Sequence, residues 1–218
     1  MKLPFTVEQF LEVFEKYNTT VYPIQYLFVA LAVLTVALLF SDFHYRDKIV
    51  SLYLTLLWLW IGIVYHLMFF ARINPAANLF GALFITQALL FFYFGFLKEK
   101  FSFRWLRNKT NIFGLVVFLY ALVVYPLLNI QFGHTYPYSP TFGLPCPTTI
   151  FTFGILTFTI TKIKWYLYII PLIWSLIGAT AASNLGIYED LGLLASGVTT
   201  SIILFIYSKD RNKKFTAA

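Results

Sequence analysis

Apolar and polar residues follow one another along the chain in long blocks. Seven apolar segments lie at approximately 21–41, 48–71, 76–97, 112–132, 148–161, 165–183 and 190–207. A helix needs about 20 residues to cross roughly 30 Å of hydrocarbon. Five of the segments meet that length, whereas 148–161 is short and 190–207 is marginal. The pattern predicts an all-α polytopic membrane protein, with seven transmembrane helices in a domain that spans 21–207.

A different pattern precedes the first apolar segment. Apolar side chains at helical spacing share one face, and acidic side chains lie on another; they are Val7, Phe10, Leu11, Phe14 and Tyr17, with Glu8, Glu12 and Glu15. Thr6 and Gln9 have the spacing of a capping box at the helix start. Helices that bind anionic membrane surfaces usually carry basic residues on the polar face. We therefore predict that residues 1–20 form an external amphipathic helix that packs against the protein itself.

The basic residues indicate an orientation. Every second connection and the carboxyl-terminal tail together hold 13 of the 16 Lys and Arg residues, and the other three are Lys2, Lys16 and Arg72. Positive charge near the ends of spans is retained in the cytoplasm. The distribution predicts an amino terminus outside and a basic tail, 208–218, in the cytoplasm.

Composition narrows the class of partner. The chain is 60% hydrophobic and 11% charged, whereas soluble domains carry roughly 25% charged residues. The lipid bilayer is thus a predicted partner. The net charge of +7 does not indicate nucleic acid, because the basic residues are separated by apolar runs and form no single stripe. One cysteine excludes an internal disulfide.

The stretch Gly133–Thr149 is the most unusual polar segment. Its four prolines prevent a regular element from running through it. Irregular backbone beside a bilayer is tolerated where protein or water satisfies its polar groups, so the stretch is expected to line a cavity. In the predicted topology it lies outside with the connections 72–75 and 184–189. We expect a polar, outward-facing cavity lined by His66, Asn74, Asn129, Gln131, His134, Tyr136, Cys146, Thr148, Thr149, Glu189 and Asp190.

Three of these residues could bind a soft or borderline metal ion. Imidazole and thiolate are the ligand types that suit copper or zinc, which makes His66, His134 and Cys146 the candidate ligands. Their spacing matches none of the patterns HxxxH, CxxC and HExxH. The alternative for His66 is a neutral histidine hydrogen-bonded to a neighbouring helix. The alternative for Cys146 is a small buried residue at a tight turn, rather than a helix cap followed by Pro147.

Acidic residues argue against one class of transporter. All nine lie outside the predicted hydrocarbon centre. Proton- and sodium-coupled pumps usually need a carboxylate there, which disfavours a coupled pump.

Three longer motifs stand out: FTVEQFLEVFEKYN, YHLMFFARINPAANLFGALF and GHTYPYSPTFGLPCPTTIFTFG. Together they resemble a family of bacterial integral membrane proteins known only as a domain of unknown function. The resemblance spans nearly the whole chain and implies a multi-pass protein of the bacterial inner membrane. It implies no activity, so no catalytic residues follow from it.

The leading functional hypothesis is non-enzymatic. We expect binding or passage of a small solute or metal ion through the outward-facing cavity. One alternative is a membrane-embedded, metal-dependent enzyme that uses the same residues. Another is a structural or assembly subunit of a membrane complex, which needs no site.

Overall fold

The computed structural model describes the backbone of residues 4–216 and the side chains of residues 4–206. Within that range the chain forms nine α-helices and no strand. The helices are α1 (Val7–Val21), α2 (Ile24–Leu38), α3 (Arg46–Trp60), α4 (Ala77–Leu90), α5 (Lys109–Leu119), α6 (Tyr125–Gln131), α7 (Pro145–Leu156), α8 (Ile169–Leu185) and α9 (Leu191–Thr216). The all-α class predicted from the sequence is confirmed.

Three long helices widen into π-helical turns. α3 continues through a π-helical segment, Ile61–Phe69, and a 3-10 turn, Phe70–Arg72; α4 continues through Phe91–Leu97, and Tyr120–Val124 joins α5 to α6. π-helical turns are rare and frequently occur at functional sites. The first of them carries His66 and the third carries Tyr120, and both residues lie beside the site described below.

Membrane-length helices are fewer than the apolar segments. Among the described residues, four stretches are long and apolar enough to cross a membrane: Arg46–Arg72, Ala77–Leu97, Lys109–Gln131 and Tyr188–Ile206. A fifth arises if α1 and α2 count as one broken span, although they meet at an angle of 82°. The apolar helices α7 and α8 are shorter, with 12 and 17 residues. The structure therefore supports a membrane protein with four or five membrane-length helices.

The connections between helices meet at two opposite ends of the bundle. At one end, Trp105 donates its backbone N–H to Leu39 O, Ile160 donates to Ser102 O, and Lys48 pairs with Glu99. These contacts join the lysine- and arginine-rich connections, and we call this the basic end. The connections 72–76, 133–144 and 186–190 meet at the other end, which we call the cavity end.

α1 covers the cavity end. Thr6 Oγ1 accepts from the Gln9 backbone and the Gln9 side chain accepts from the Thr6 backbone, so the predicted capping box is present. The helix buries Phe14 and Tyr17 against the π-helical segment of α3. Residues 1–3 of the predicted amphipathic helix, and residues 217–218 of the predicted tail, lie outside the described residues. α9 continues to Thr216, so no helix break marks the predicted boundary at 207.

The short helix α7 occupies the centre of the bundle. All of its residues except Cys146 are buried. A Cβ atom added to Gly154 would lie 2.7 Å from a ring carbon of Phe118, so α5 and α7 approach closely only because Gly154 has no side chain. The helix ends at Leu156, earlier than the apolar segment 148–161. The interpretation of Cys146 as the N-cap of this helix is wrong, because the N-cap is Leu144 and the first helical residue is Pro145. Proline suits this first position, where the backbone N–H that it lacks would have no partner in the helix.

Candidate functional site

A cavity of about 610 Å³ opens beneath α1 at the cavity end. Seven aromatic side chains line it, namely Phe5, Phe10, Phe14, Tyr65, Phe70, Phe80 and Trp174. Small residues of α8, among them Gly178 and Ala181, form another side. Ligand sites in proteins typically measure about 300–1,000 Å³ and are mainly apolar with a few polar groups. We call this space the aromatic cavity.

Polar groups are concentrated at one part of the aromatic cavity. Asp190 lines it and is only 6% exposed. Tyr125 donates its hydroxyl hydrogen bond to Asp190 Oδ1 over 2.5 Å, and the Cys146 thiol faces the same carboxyl group. The Trp174 indole also lies beside that thiol, whose sulfur is a weak acceptor for its buried N–H. A carboxyl group and an indole N–H thus lie on either side of one thiol at the cavity wall.

The side chain of Glu189, the residue before Asp190, points towards His134 and not into the aromatic cavity. Glu189 Oε1 lies 2.9 Å from His134 Nδ1, and Tyr120 donates its hydroxyl to the Glu189 carbonyl over 2.6 Å. Both residues lie in the 3-10 turn Tyr188–Asp190, in which successive side chains point about 120° apart, and this separates the two neighbouring carboxylates. Glu189 is fully buried, and within residues 4–206 no group donates to its Oε2.

A second cavity of about 280 Å³ lies between α2, α6 and the loop 133–144. Asn129, His134 and Tyr136 line it, together with Gln25 and Thr141. We call it the amide cavity, because Gln25 and Asn129 present side-chain amides to it.

The loop 133–144 is held in place largely by one residue of α1. Asn18 Nδ2 donates to the carbonyls of Pro137 (2.6 Å) and Ser139 (2.9 Å), and Asn18 Oδ1 accepts from Thr141 Oγ1 (2.6 Å). At the surface, the Tyr138 hydroxyl donates to Glu15 Oε1 over 2.9 Å. This hydrogen bond to the neighbouring carboxylate raises the pKa of the Tyr138 phenol above its ordinary value.

The residues predicted to line one site are divided by the structure. Asn74, Cys146 and Asp190 line the aromatic cavity, whereas Asn129, His134 and Tyr136 line the amide cavity. The remaining five line neither cavity: Glu189 pairs with His134, Thr148 and Thr149 are buried in α7, Gln131 is exposed, and His66 lies behind the wall of the aromatic cavity. The cavity end therefore gathers these residues into two adjoining sites instead of one.

His66 has an unusual environment. Five aromatic rings surround it with centroids 4.7–6.2 Å away: Tyr65, Phe70, Phe80, Phe84 and Trp174. It is fully buried, and no described group reaches either ring nitrogen. The interpretation of His66 as a histidine hydrogen-bonded to a neighbouring helix is therefore wrong.

The proposed metal ligands do not converge. The part of the chain that the structure describes contains no group of three His, Cys, Asp or Glu residues able to hold a metal ion. His134 pairs with Glu189, Cys146 faces Asp190, and His66 is enclosed by aromatic rings. These three residues consequently do not form the copper or zinc site suggested by their chemistry.

Sequence reasoning missed residues that line the two cavities, Trp174 and Gln25, and residues that hold their walls in place, Tyr125 and Asn18. Trp174 and Tyr125 lie in apolar segments and resemble ordinary core residues. Gln25 and Asn18 carried a signal that was overlooked, because both are amides placed at the predicted entry of the first span. A buried amide needs partners, so its position beside an apolar run indicates a polar contact.

Comparison with models of known families matches residues 7–216 to DUF6064, a family of unknown function. No curated protein and no solved structure matches the chain. The family match covers nearly the whole sequence, including both cavities and the loop 133–144. The chain therefore belongs to the DUF6064 family, which agrees with the expectation that it is a member of a family of unknown function.

Proposed function

We propose that this protein is an integral membrane protein that binds a small, largely apolar molecule in the aromatic cavity. The bound molecule carries a neutral hydroxyl-bearing head. The observation that carries the proposal is the position of the Asp190 carboxyl group and the Trp174 indole, both beside the Cys146 thiol, at one part of an aromatic cavity of about 610 Å³. Binding without chemical change is the simplest use of this arrangement.

Asp190 and Trp174 determine which polar group of the ligand the aromatic cavity favours. A hydroxyl group can donate to the Asp190 carboxylate and accept from the Trp174 N–H at the same time. Because the thiol sulfur is only a weak acceptor, a ligand oxygen that accepts from Trp174 makes the stronger hydrogen bond. An anionic head would lie beside Asp190 and close to Glu189, and like charges in a buried site repel strongly. We therefore expect discrimination between an alcohol and the corresponding carboxylate.

The membrane arrangement belongs to the same proposal. We place the protein in the bacterial inner membrane with seven spans, counting α7 and α8 as short or tilted spans, and with the cavity end outside. Support comes from the segregation of lysine- and arginine-rich connections to the basic end. The test is labelling of intact cells with an impermeant maleimide, using Thr110→Cys and Tyr138→Cys in a Cys146→Ala background. We expect label at position 138 alone; label at position 110 alone would reverse the orientation.

Fluorescence quenching tests the ligand. Bromoundecanol, a long-chain alcohol with a quenching bromine atom, is titrated into protein held in lipid nanodiscs. Trp174 is one of five tryptophans, so Trp174→Phe identifies the quenching that comes from the cavity. We expect a saturable component in the unmodified protein that is absent from Trp174→Phe. Bromoundecanoate, which is ionised at neutral pH, should produce no such component.

Matched alanine variants locate the binding. Ala181→Leu fills the aromatic cavity, whereas Ala82→Leu adds the same side chain on the exposed side of α4. Ala181→Leu should weaken binding by about tenfold or more, because each displaced methylene of the ligand loses roughly 0.8 kcal/mol. Ala82→Leu should have no effect. Quenching that rises linearly and equally in all variants would show partition into lipid alone and would refute the proposed site.

A further inference from the structure

The amide cavity contains two buried acceptors that the protein does not satisfy. Gln25 is 5% exposed and Asn129 is 4% exposed. Both side chains line this cavity, and among the described residues no group donates to Gln25 Oε1 or Asn129 Oδ1. A buried acceptor without a donor costs about 1–3 kcal/mol. Because both residues line one cavity of about 280 Å³, an occupant that donates hydrogen bonds there would satisfy these oxygens after a small movement of the two amides.

The hydrogen bonds of the two amide nitrogens fix the orientation of both side-chain amides. Gln25 Nε2 donates to Asn18 O over 2.8 Å, and Asn129 Nδ2 donates to Pro140 O over 3.0 Å. Rotating either amide by half a turn would place its oxygen against a carbonyl oxygen, which cannot donate. The two oxygens are therefore the groups left without donors.

Neighbouring hydroxyl groups do not supply the missing donors. Thr141 Oγ1 donates to Asn18 Oδ1, and the Tyr136 hydroxyl donates to Asn18 O over 3.3 Å. Both hydroxyl hydrogens are thus committed to Asn18. The cavity offers acceptors to a ligand, and its occupant must bring the N–H or O–H groups.

Three features favour a cationic donor over a neutral one. Asn129 lies in the last turn of α6, where the carbonyl end of a helix attracts positive charge. The rings of Tyr26 and Tyr136 line the same cavity, and aromatic rings attract ammonium groups. The buried Glu189 carboxylate pairs with His134, which also lines the cavity. We propose that the amide cavity is a second binding site, specific for a small protonated primary amine whose N–H groups donate to Gln25 and Asn129.

Thermal unfolding with two ammonium salts tests the proposal. Butylammonium carries three N–H donors, whereas tetramethylammonium has a similar charge and no donor. A ligand that binds only the folded protein raises the melting temperature in proportion to RT ln(1 + [L]/Kd). We expect a concentration-dependent rise with butylammonium chloride and none with tetramethylammonium chloride or sodium chloride at equal ionic strength. Equal effects of the two ammonium ions, an effect of sodium, or no effect of any salt would each overturn the proposal.

Two asparagines provide a matched pair for locating the amine. Asn129 Nδ2 donates to Pro140 O, and Asn78 Nδ2 likewise donates to Pro75 O over 3.0 Å, but Asn78 is exposed and lines neither cavity. Asn129→Leu should weaken butylammonium binding by about tenfold or more, since hydrogen bonds to charged groups are the stronger ones. Asn78→Leu should leave the apparent Kd unchanged, and equal values in both variants would contradict this location.

Two further variants keep the test decisive. Gln25→Met removes the other unpartnered oxygen and replaces Asn129→Leu if that variant does not fold. Trp174→Phe alters only the aromatic cavity, so it should leave the butylammonium effect intact. The amine site can therefore fail while the alcohol site holds, and the reverse.

Discussion

Replacing His66 with phenylalanine should stabilise the protein. The imidazole is fully buried, and among the described residues neither nitrogen has a hydrogen-bond partner. Each unsatisfied group costs about 1–3 kcal/mol, and phenylalanine carries neither. The larger ring adds strain of about 1–3 kcal/mol in a packed site. Because the ring keeps its contacts with Phe84 and Trp174, we expect a net gain of about 1–3 kcal/mol in the free energy of unfolding.

The gain converts into a measurable change in melting temperature. For a chain of 150–250 residues, each kcal/mol shifts the midpoint by about 2–4 °C, so His66→Phe should raise it by roughly 2–12 °C. The midpoint is measured in nanodiscs by circular dichroism. The same change at the exposed His44 should alter the free energy by less than about 0.5 kcal/mol. His66→Ala, which opens a void among the rings, should cost about 2–5 kcal/mol.

A destabilising His66→Phe would refute this reasoning. A loss of about 1 kcal/mol or more would mean that the imidazole nitrogens are hydrogen-bonded in the folded protein, by a group bound inside the bundle. A stabilising effect would instead mean that His66 is kept at a cost in stability. Ionisable residues within membrane spans are commonly functional, so the second outcome directs attention to the role of His66 beside the aromatic cavity.

Three further changes test the packing and the polar contacts of the cavity end. Gly154→Leu should abolish folding, measured as gel-filtration yield, because the added Cβ would lie 2.7 Å from Phe118. Gly186→Asn should be nearly neutral, because asparagine tolerates the positive φ of this position and the added Cβ has no described atom within 4 Å. Asn18→Ala removes three hydrogen bonds to the loop 133–144 and should lower the free energy of unfolding by about 2–4 kcal/mol. Hydrogen–deuterium exchange should become faster in that loop alone. An equal rise in exchange along the whole chain would show that Asn18 does not hold this loop specifically. Asp190→Ala should weaken bromoundecanol binding by about tenfold in the quenching titration, and unchanged binding would remove Asp190 from the site.

Local sequence patterns predicted some elements well, for identifiable physical reasons. The capping box at Thr6 and the apolar face of α1 depend on residues three or four apart, so they can be recognised without knowing the fold. The division of connections between two ends follows from the alternation of apolar segments and basic connections. That alternation also placed the connections 133–147 and 184–189 on one side, and in the structure the loop 133–144 and the turn Tyr188–Asp190 meet at one end of the bundle.

The pairing of helix faces could not be predicted in the same way. The membrane-length helices are apolar on nearly every side, so the sequence of α4 does not distinguish the buried Phe84 from the exposed Leu79. For the same reason Trp174 resembled a core residue of α8, although it lines the aromatic cavity beside Cys146. Which apolar faces meet depends on close contacts such as that of Gly154 with Phe118, and these contacts join residues far apart in sequence.

Glu189 and Asp190 show that a residue near the end of a membrane span can still be buried inside the protein. Glu189 and Asp190 lie where the last apolar segment begins, and their position predicted that they line an outward-facing cavity outside the hydrocarbon centre. In the structure both are buried, because α1, the loop 133–144 and the end of α8 enclose the start of α9. A buried carboxylate requires a specific partner, and these two find different ones, Tyr125 for Asp190 and His134 for Glu189. This turn thereby places one carboxylate in the aromatic cavity and pairs the other with His134, which lines the amide cavity, so displacing the turn would disturb both proposed sites together.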